Sequence, residues 1–247
     1  MSYKSKCDYN TRDTGRQSFS DRDTKETIIF EYPVAFYDDF IGADVVIPAT
    51  GSDESGCKWT KKITNTTTVA KTADGVNGNV LCSLAANSEA QEATLQMDDQ
   101  LMFSIAQGAI YECRLAVTVA PTLNSVLSFG LHGAYAAGGS NFRVGFEVIA
   151  TNLLALCESD DNATDTSASS GVTLVVGTYN IFQIDMTNQA DIKFFIDGVP
   201  VAGSTTFANA ASAGNSKAQP HCGLYKASGE GLGVASIDYV KVWQERS

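Results

Sequence analysis

The chain has 247 residues, of which 44% are apolar, and this is enough for one large β domain or two small ones with a packed core. Its 28 acidic and 17 basic side chains give a formal charge of −11, which disfavours binding to a nucleic-acid backbone. The N-terminal residues show no secretory signal and no apolar run could span a bilayer, so we expect folding in the cytoplasm and no membrane contact.

Residues 1–33 are predicted to form an N-terminal arm outside the main domain. They are polar, show no apolar periodicity, and contain half of the arginines of the chain, Arg12, Arg16 and Arg22. Such a segment cannot build a core alone. It is either a flexible terminus or an arm that orders against a partner, with its arginines pairing to carboxylates on that partner.

Residues 34–247 show the sequence pattern of an all-β domain, with short apolar runs broken by Gly, Asn, Asp and Ser. Strands are predicted near residues 28–32, 34–38, 57–63, 66–71, 79–85, 91–97, 100–105, 109–119, 124–132, 142–150, 152–158, 171–176, 179–187, 191–197, 199–202, 221–227 and 234–244. Many short strands at close spacing predict a sandwich or a barrel.

Side-chain alternation assigns faces to two of these strands. In 111–119, Tyr111, Cys113 and Leu115 share one face, while Glu112 and Arg114 share the other. In the last strand, Ile237, Tyr239, Lys241 and Trp243 are predicted on one face, opposite Val240 and Val242. Residues 158–171 and 203–220 are polar and are predicted to be surface loops.

Several motifs together resemble the concanavalin A-like lectin/glucanase superfamily. They are FYDDF at 36–40, Trp59, DGVNG at 74–78, AIYECRLAV at 109–117, SVLSFGLHG at 125–133, IKFFIDGVPV at 192–201 and IDYVKVWQ at 237–244. The resemblance implies a jelly-roll sandwich of two antiparallel sheets, preceded by the extended arm. Asp197-Gly198 is interpreted as the turn of a hairpin rather than as a catalytic acid.

No catalytic motif is found in the sequence. The glucanases of this superfamily carry three carboxylates on one strand, and no predicted strand here has that triplet, although two carboxylates from different strands could still meet. His132 and His221 have no cluster of partners in the sequence, and Cys222 beside His221 would face the opposite side of a strand. The expectation is therefore a protein that is not an enzyme.

Two kinds of binding site are considered. The acidic segment 158–165 offers Asp160, Asp161 and Asp165 as calcium ligands, against the alternative of a solvated loop; no other cofactor is expected. Trp59, Tyr135 and Tyr225 are the aromatic candidates for stacking on a sugar, against the alternative that they pack in the core.

Within the superfamily, the sequence resembles jelly-roll proteins of tailed bacteriophage virions. This resemblance implies a capsid decoration or cement protein, assembled in the host cytoplasm and located on the capsid surface. Its partners would be the major capsid protein, gripped by Arg12, Arg16 and Arg22, and further copies of itself, with a trimer as one arrangement. The alternative is a carbohydrate-binding module that contacts a host glycan; a glycoside hydrolase is the third hypothesis.

Overall fold

The computed structural model describes most of the chain. The described residues are 7–11, 18–21, 27–29, 34–41, 47–49, 59–73, 75–122, 124–138, 140, 142–149, 152–210 and 216–245. The one helical element among them is a three-residue 3-10 turn, Ile105–Gln107, and this part of the chain has no helix long and apolar enough to cross a membrane.

The N-terminal region contains three short antiparallel strands. They are β1 (Cys7–Thr11), β2 (Ser18–Asp21) and β3 (Thr27–Ile29), paired in sequence order. Arg12, Arg16 and Arg22 lie outside the described residues. Their role as capsid-binding residues stays a prediction.

The main domain is built from two antiparallel sheets, as the sequence predicts. Sheet I has the order β17-β16-β15-β10-β19-β7-β6, and β4 also pairs with β19. Its strands are β4 (Val34–Asp38), β6 (Thr68–Lys71), β7 (Val80–Leu84), β10 (Ile110–Val119), β15 (Tyr179–Asp185), β16 (Lys193–Ile196), β17 (Val199–Val201) and β19 (Gly233–Gln244).

Sheet II carries a row of polar side chains on its outer face. Its order is β14-β13-β12-β11-β18-β8-β5, and β9 also pairs with β18. Its strands are β5 (Thr60–Thr64), β8 (Gln91–Gln96), β9 (Phe103–Ser104), β11 (Ser125–His132), β12 (Phe142–Ile149), β13 (Leu154–Asp161), β14 (Asp165–Thr173) and β18 (Lys217–Lys226).

The inner faces of the two sheets meet in an aromatic core. Phe129 and Phe146 of sheet II pack against Phe182 of sheet I, with ring centroids 4.8 Å and 5.1 Å from the Phe182 ring, in edge-to-face contact. Phe146 also meets Phe194 at 5.3 Å. Because these rings interdigitate between the sheets, they hold the two layers together. The outer face of each sheet takes no part in this contact.

The predicted hairpin at 192–201 is confirmed. Asp197 and Gly198 form the turn between β16 and β17, with φ of 51° and 73°. The Asp197 carboxylate accepts hydrogen bonds of 2.8 Å from the Ile181 amide and 2.7 Å from the Asn180 side chain. Asp197 therefore anchors the turn to β15 and has a structural role.

The predicted faces of β19 hold only in part. Tyr239 pairs with Arg114, but Ile237 pairs with Leu115, so the register shifts by one residue at Asp238. This bulge puts Ile237 in the core with Leu115, while Tyr239 and the residues after it keep the predicted alternation. The expectation that Ile237 and Tyr239 share a face is therefore wrong.

The predicted surface loop at 158–171 is also wrong, because these residues complete the β13–β14 hairpin. Asp160 pairs with Asp165, with four residues between them in the chain, and Glu158 pairs with Ser167. Asp and Gly have low strand propensity, but β14 is an edge strand whose side chains are largely exposed. β14 therefore forms as a strand without the apolar residues by which buried strands are recognised in a sequence.

Candidate functional site on the outer face of sheet II

The outer face of sheet II is lined by polar side chains. Along β11, Leu127, Phe129 and Leu131 point into the core, so Ser128 and His132 point outward. The register extends this face over the neighbouring strands. We call it the polar face; its members are Lys62, Glu92, Thr94, Ser128, His132, Arg143, Glu147, Glu158, Asp160, Asp165, Ser167, Gln219, His221 and Tyr225.

Two glutamates meet on this face from neighbouring strands. Gly145 of β12 pairs with Glu158 of β13, and Glu147 pairs with Leu156. Glu147 and Glu158 are therefore diagonal neighbours, whose Cβ atoms in such a position lie about 7–8 Å apart or somewhat less. Glycine at position 145 leaves room between them, since it has no side chain on this face.

Arg143 links the two glutamates. Its Nε lies 3.8 Å from Glu147 Oε1 and its Nη2 lies 3.4 Å from Glu158 Oε2. Its Nη1 is 3.6 Å from Asp160 Oδ2 and donates a hydrogen bond of 3.0 Å to the Ser140 carbonyl. One guanidinium is thus within ion-pair distance of three carboxylates, and it donates a hydrogen bond to that of Glu158.

The two glutamates have different surroundings. Burial, followed by the charge of Glu158, raises the pKa of Glu147 from 4.5 to about 7, with Arg143 opposing. Burial also raises the pKa of Glu158 overall, and hydrogen bonding from Ser167 and the charge of Arg143 offset this only in part. Glu147 is thus suited to hold a proton near neutral pH, while Ser167 and Arg143 stabilise Glu158 as a carboxylate.

The two histidines of the chain are stacked at the centre of this face. The rings of His132 and His221 lie 4.0 Å apart, with an interplanar angle of 8°, and Ser128 Oγ is 3.4 Å from His132 Nε2. Burial lowers the pKa of both, to about 4 for His221, so both are neutral near pH 7. The sequence does not show this arrangement, because β11 and β18 are neighbours in the sheet but far apart in the sequence.

A tyrosine-rich group lies toward the β5 edge of the polar face. Tyr135 follows β11, and its hydroxyl donates a hydrogen bond to Glu92 Oε2. The Thr94 hydroxyl donates to the other Glu92 oxygen at 2.9 Å, and Lys62 Nζ lies 5.3 Å from the Tyr135 ring centroid. Tyr225 is the neighbouring outward residue on β18, paired with Glu92. The structure thus brings two of the three predicted sugar-binding residues together.

Trp59, the third, does not belong to this group. Its side chain is only 4% exposed, its ring packs edge-on against Phe36 at 5.5 Å, and its indole N–H donates to Asp38 at 3.0 Å. A buried ring has no free face for a sugar. Trp59 is therefore a core residue, which is the alternative considered from the sequence.

The three predicted calcium ligands do not converge on one point. Asp160 and Asp161 are consecutive on β13 and face opposite sides of the sheet. Asp161 accepts hydrogen bonds from the amides of Thr164 and Ala163, which cap the turn, and from Ala210. Within the described ranges, no group of three or more His, Cys, Asp or Glu residues could hold a metal ion.

Comparison with solved structures identifies proteins with the same architecture. A β-1,3-glucanase from Mycobacterium marinum superposes with a TM-score of 0.54 and 17% identity, over 87% of this chain and 99% of that one. An endo-β-1,4-glucuronan lyase from Trichoderma reesei gives 0.56 and 12%, over 85% and 94%. A glycosyl hydrolase family 16 protein from Mycobacterium smegmatis gives 0.51 and 15%, over 86% and 100%.

The sequence matches no protein-family model and no curated protein. The prediction that the protein is not an enzyme is overturned by the structural comparisons, since several similar structures are glycan-cleaving enzymes. It rested on the lack of three carboxylates on one strand, whereas Glu147 and Glu158 meet from two strands. At these identities the similarity establishes the fold alone, which is a jelly-roll sandwich of two antiparallel sheets.

Proposed function

We propose that this protein hydrolyses a neutral polysaccharide bound along the polar face, with Glu147 as proton donor and Glu158 as the assisting carboxylate. The observation that carries this proposal is the position of the two glutamates on neighbouring strands, bridged by Arg143. Cleavage of a glycosidic bond by a carboxyl pair needs one protonated and one ionised group on either side of the bond.

The reaction follows from the two environments. Glu147 retains its proton near neutral pH because it is buried and faces another carboxylate, so it can protonate the leaving oxygen. Glu158, hydrogen-bonded by Ser167 and Arg143, either attacks the anomeric carbon or activates a water. Retaining cleavage needs carboxyl groups about 5–5.5 Å apart and inverting cleavage about 6.5–9.5 Å, so the anomer released first reports the role of Glu158.

The charge of the polar face favours a neutral substrate over a uronic acid polymer. Lys62 and Arg143 are its cationic side chains among the described residues, whereas its carboxyl groups are those of Glu92, Glu147, Glu158, Asp160 and Asp165. A polyanion would meet this excess of negative charge and the overall charge of −11. The glucuronan lyase is similar in fold, but its substrate class is disfavoured here.

The test is a panel of neutral β-glucans, xylans and uronans incubated with the protein and three variants. We expect new reducing ends from a neutral glycan, and a loss of about 10²–10⁴-fold in kcat for Glu147→Gln. Glu158→Gln should lose activity as well. Glu230→Gln is the matched control, since Glu230 is an exposed glutamate outside the polar face and should retain full activity.

Two results would contradict the proposal. One is full activity of Glu147→Gln on the glycan that is cleaved. The other is the release of unsaturated uronates instead of reducing ends with hydrolytic stoichiometry, which would assign a lyase. The capsid-decoration hypothesis gains no support from the similar structures named above and stays a prediction, together with its partners and virion location.

A further inference from the structure

The group of side chains around Tyr135 is organised more tightly than a surface loop requires. The Tyr135 hydroxyl donates to Glu92, its backbone amide donates to Asp99 Oδ1 at 2.6 Å, and Lys62 lies over its ring. Asp99 is itself fixed by a 2.8 Å hydrogen bond from Gln219. A half-exposed aromatic side chain is thus held in one orientation from three sides.

Tyr225 lies beside Tyr135 and is also restrained. The backbone of Gly138 lies against the ring, since a Cβ on Gly138 would be 3.0 Å from Tyr225 Cε1. Gly138 has a φ of 80°, which suits glycine, so the segment 133–138 can follow the surface of the ring closely. The two half-buried tyrosines form adjacent, rigid aromatic surfaces, and rigid rings lose little conformational entropy when they bind a ligand.

Polar groups beside the tyrosines could bind sugar hydroxyls. Both Glu92 oxygens already accept one hydrogen bond each, from Tyr135 and Thr94, and a carboxylate oxygen can accept a second. The ammonium group of Lys62 lies next to them as a donor. An aromatic surface with a few fixed donors and acceptors at its edge is the composition of a small-molecule binding site.

This group is separated from the carboxyl pair by a fixed number of strands. Glu147 is on β12, Tyr225 is two strands away on β18, and Glu92 is three strands away on β8. At about 4.8 Å between strands, the lateral separation is about 10–14 Å. That span is several sugar units of a polymer lying across the strands, so the two groups cannot both contact the same sugar.

We propose that Tyr135, Tyr225, Glu92 and Lys62 form a distal glycan subsite that binds the polysaccharide several sugar units from the carboxyl pair. The subsite is distal only with respect to the proposed cleavage at the carboxyl pair, so this part of the inference rests on the proposed function. Binding of the glycan to the tyrosines does not require cleavage. The inference implies that the substrate is a chain bound across β12, β11, β18 and β8.

The experiment separates binding from cleavage. The probe glycan is the one that the protein cleaves, or, if none is cleaved, the one that retards the protein in a polysaccharide affinity gel. Oligosaccharides of increasing length are prepared from this glycan. They are titrated into Glu147→Gln by calorimetry. Tyr225→Ala is then added to that variant. We expect binding of long oligosaccharides to weaken about tenfold or more, which corresponds to about 1.4 kcal/mol, with no change for a disaccharide.

Two further variants distinguish a subsite from a structural role. Tyr225→Leu keeps apolar bulk against Gly138 but removes the aromatic ring, so it should preserve the unfolding temperature and still weaken long oligosaccharides. Lys62→Met on the edge strand β5 keeps the aliphatic stem and removes the ammonium group; we expect it to weaken binding several-fold. It serves as the test if Tyr225→Ala does not fold.

In the active protein, the same substitutions should raise KM for long chains while leaving kcat nearly unchanged. The inference is overturned if Tyr225→Leu and Lys62→Met bind long oligosaccharides as tightly as the parent. It is also overturned if all oligosaccharide lengths lose the same affinity. If the Tyr225 and Lys62 variants lose affinity for long oligosaccharides, but the parent protein shows no detectable cleavage, the subsite is supported and the hydrolase proposal is rejected. The failure of one proposal can therefore be told apart from the failure of the other.

Discussion

Replacing Glu147 with glutamine should stabilise the protein above neutral pH while it removes the proposed activity. The side chain of Glu147 is 19% exposed and lies beside Glu158, and its pKa is raised from 4.5 to about 7. The folded state therefore holds a proton that the unfolded chain releases between these two pH values. Because the unfolded state binds fewer protons in that window, the free energy of unfolding falls as the pH rises from 4.5 to about 7.

The magnitude follows from the same two values. At 1.36 kcal/mol per pH unit, the gap between 4.5 and about 7 gives an upper limit of about 3 kcal/mol. Partial exposure reduces this, so we expect Glu147→Gln to gain about 1–3 kcal/mol at pH 8 and little at pH 4. The guanidinium of Arg143 does not become isolated, since Glu158 and Asp160 remain within 3.4 Å and 3.6 Å of it.

The assay is urea denaturation of the protein and of Glu147→Gln at several pH values from 4 to 8. The difference in unfolding free energy should grow with pH and level off above about 7, whereas Glu230→Gln should show no such trend. A difference that stays flat across this range would refute the assigned environment of Glu147. So would a variant that is less stable than the parent at pH 8.

Three further outcomes follow from individual contacts. The rate of glycan cleavage should decline as the pH rises above about 7, where Glu147 loses its proton, and a pH–rate profile checks this. Lys226→Met should lose about 2–4 kcal/mol in urea denaturation, because the fully buried ammonium donates to the carbonyls of Ala85, Asn87 and Gly231 at 2.7–3.0 Å. Gly130→Ala should lower the free energy of unfolding by about 3 kcal/mol or more, since the new Cβ would lie 2.3 Å from the Val144 carbonyl oxygen. Gly203→Ala is the control: Gly203 has open space around it, so the free energy of unfolding should change by no more than about 0.5 kcal/mol.

The sequence predicts the architecture well because alternation and turn chemistry are local. The Asp197-Gly198 turn and the alternating strand at Tyr111 can be read without knowing the strand neighbours, and both are confirmed. The bulge at Asp238 could not be read this way. It depends on how β19 matches β10, and a one-residue insertion in a strand leaves no signature in the composition.

The candidate site was hidden from the sequence for a related reason. Glu147 and Glu158 are eleven positions apart, and only the pairing of Gly145 with Glu158 places them side by side. The predicted strands 142–150 and 152–158 contain both glutamates, but the sequence does not give the register in which these two strands pair.

Glycine recurs at the centre of the polar face because its neighbours leave no room for a side chain. A Cβ on Gly223 would lie 2.4 Å from Thr94 Oγ1 and 3.0 Å from His221 Nε2. A Cβ on Gly145 would lie 2.5 Å from the Phe129 carbonyl oxygen, with the His132 ring in ordinary contact at 3.5 Å. Both rings are neutral because burial lowers the pKa of each, and the charge of Arg143 lowers it further. The centre of the face is therefore flat and uncharged, with the carboxyl pair to one side and the tyrosines to the other.

These same groups limit the stability of the protein from both sides of the pH scale. The unfolded chain takes up protons at histidine below about 6.5 while folded His221 stays neutral to about 4, so stability falls as the pH drops through that range. Glu147 acts in the opposite direction. As the pH rises toward 7, the unfolded chain releases this proton while the folded protein keeps it, so the free energy of unfolding falls. A structural sheet face has no need for either cost. Their coexistence on one face, beside a guanidinium that holds two glutamates together, is the pattern expected where ionisable groups are placed for chemistry rather than for stability.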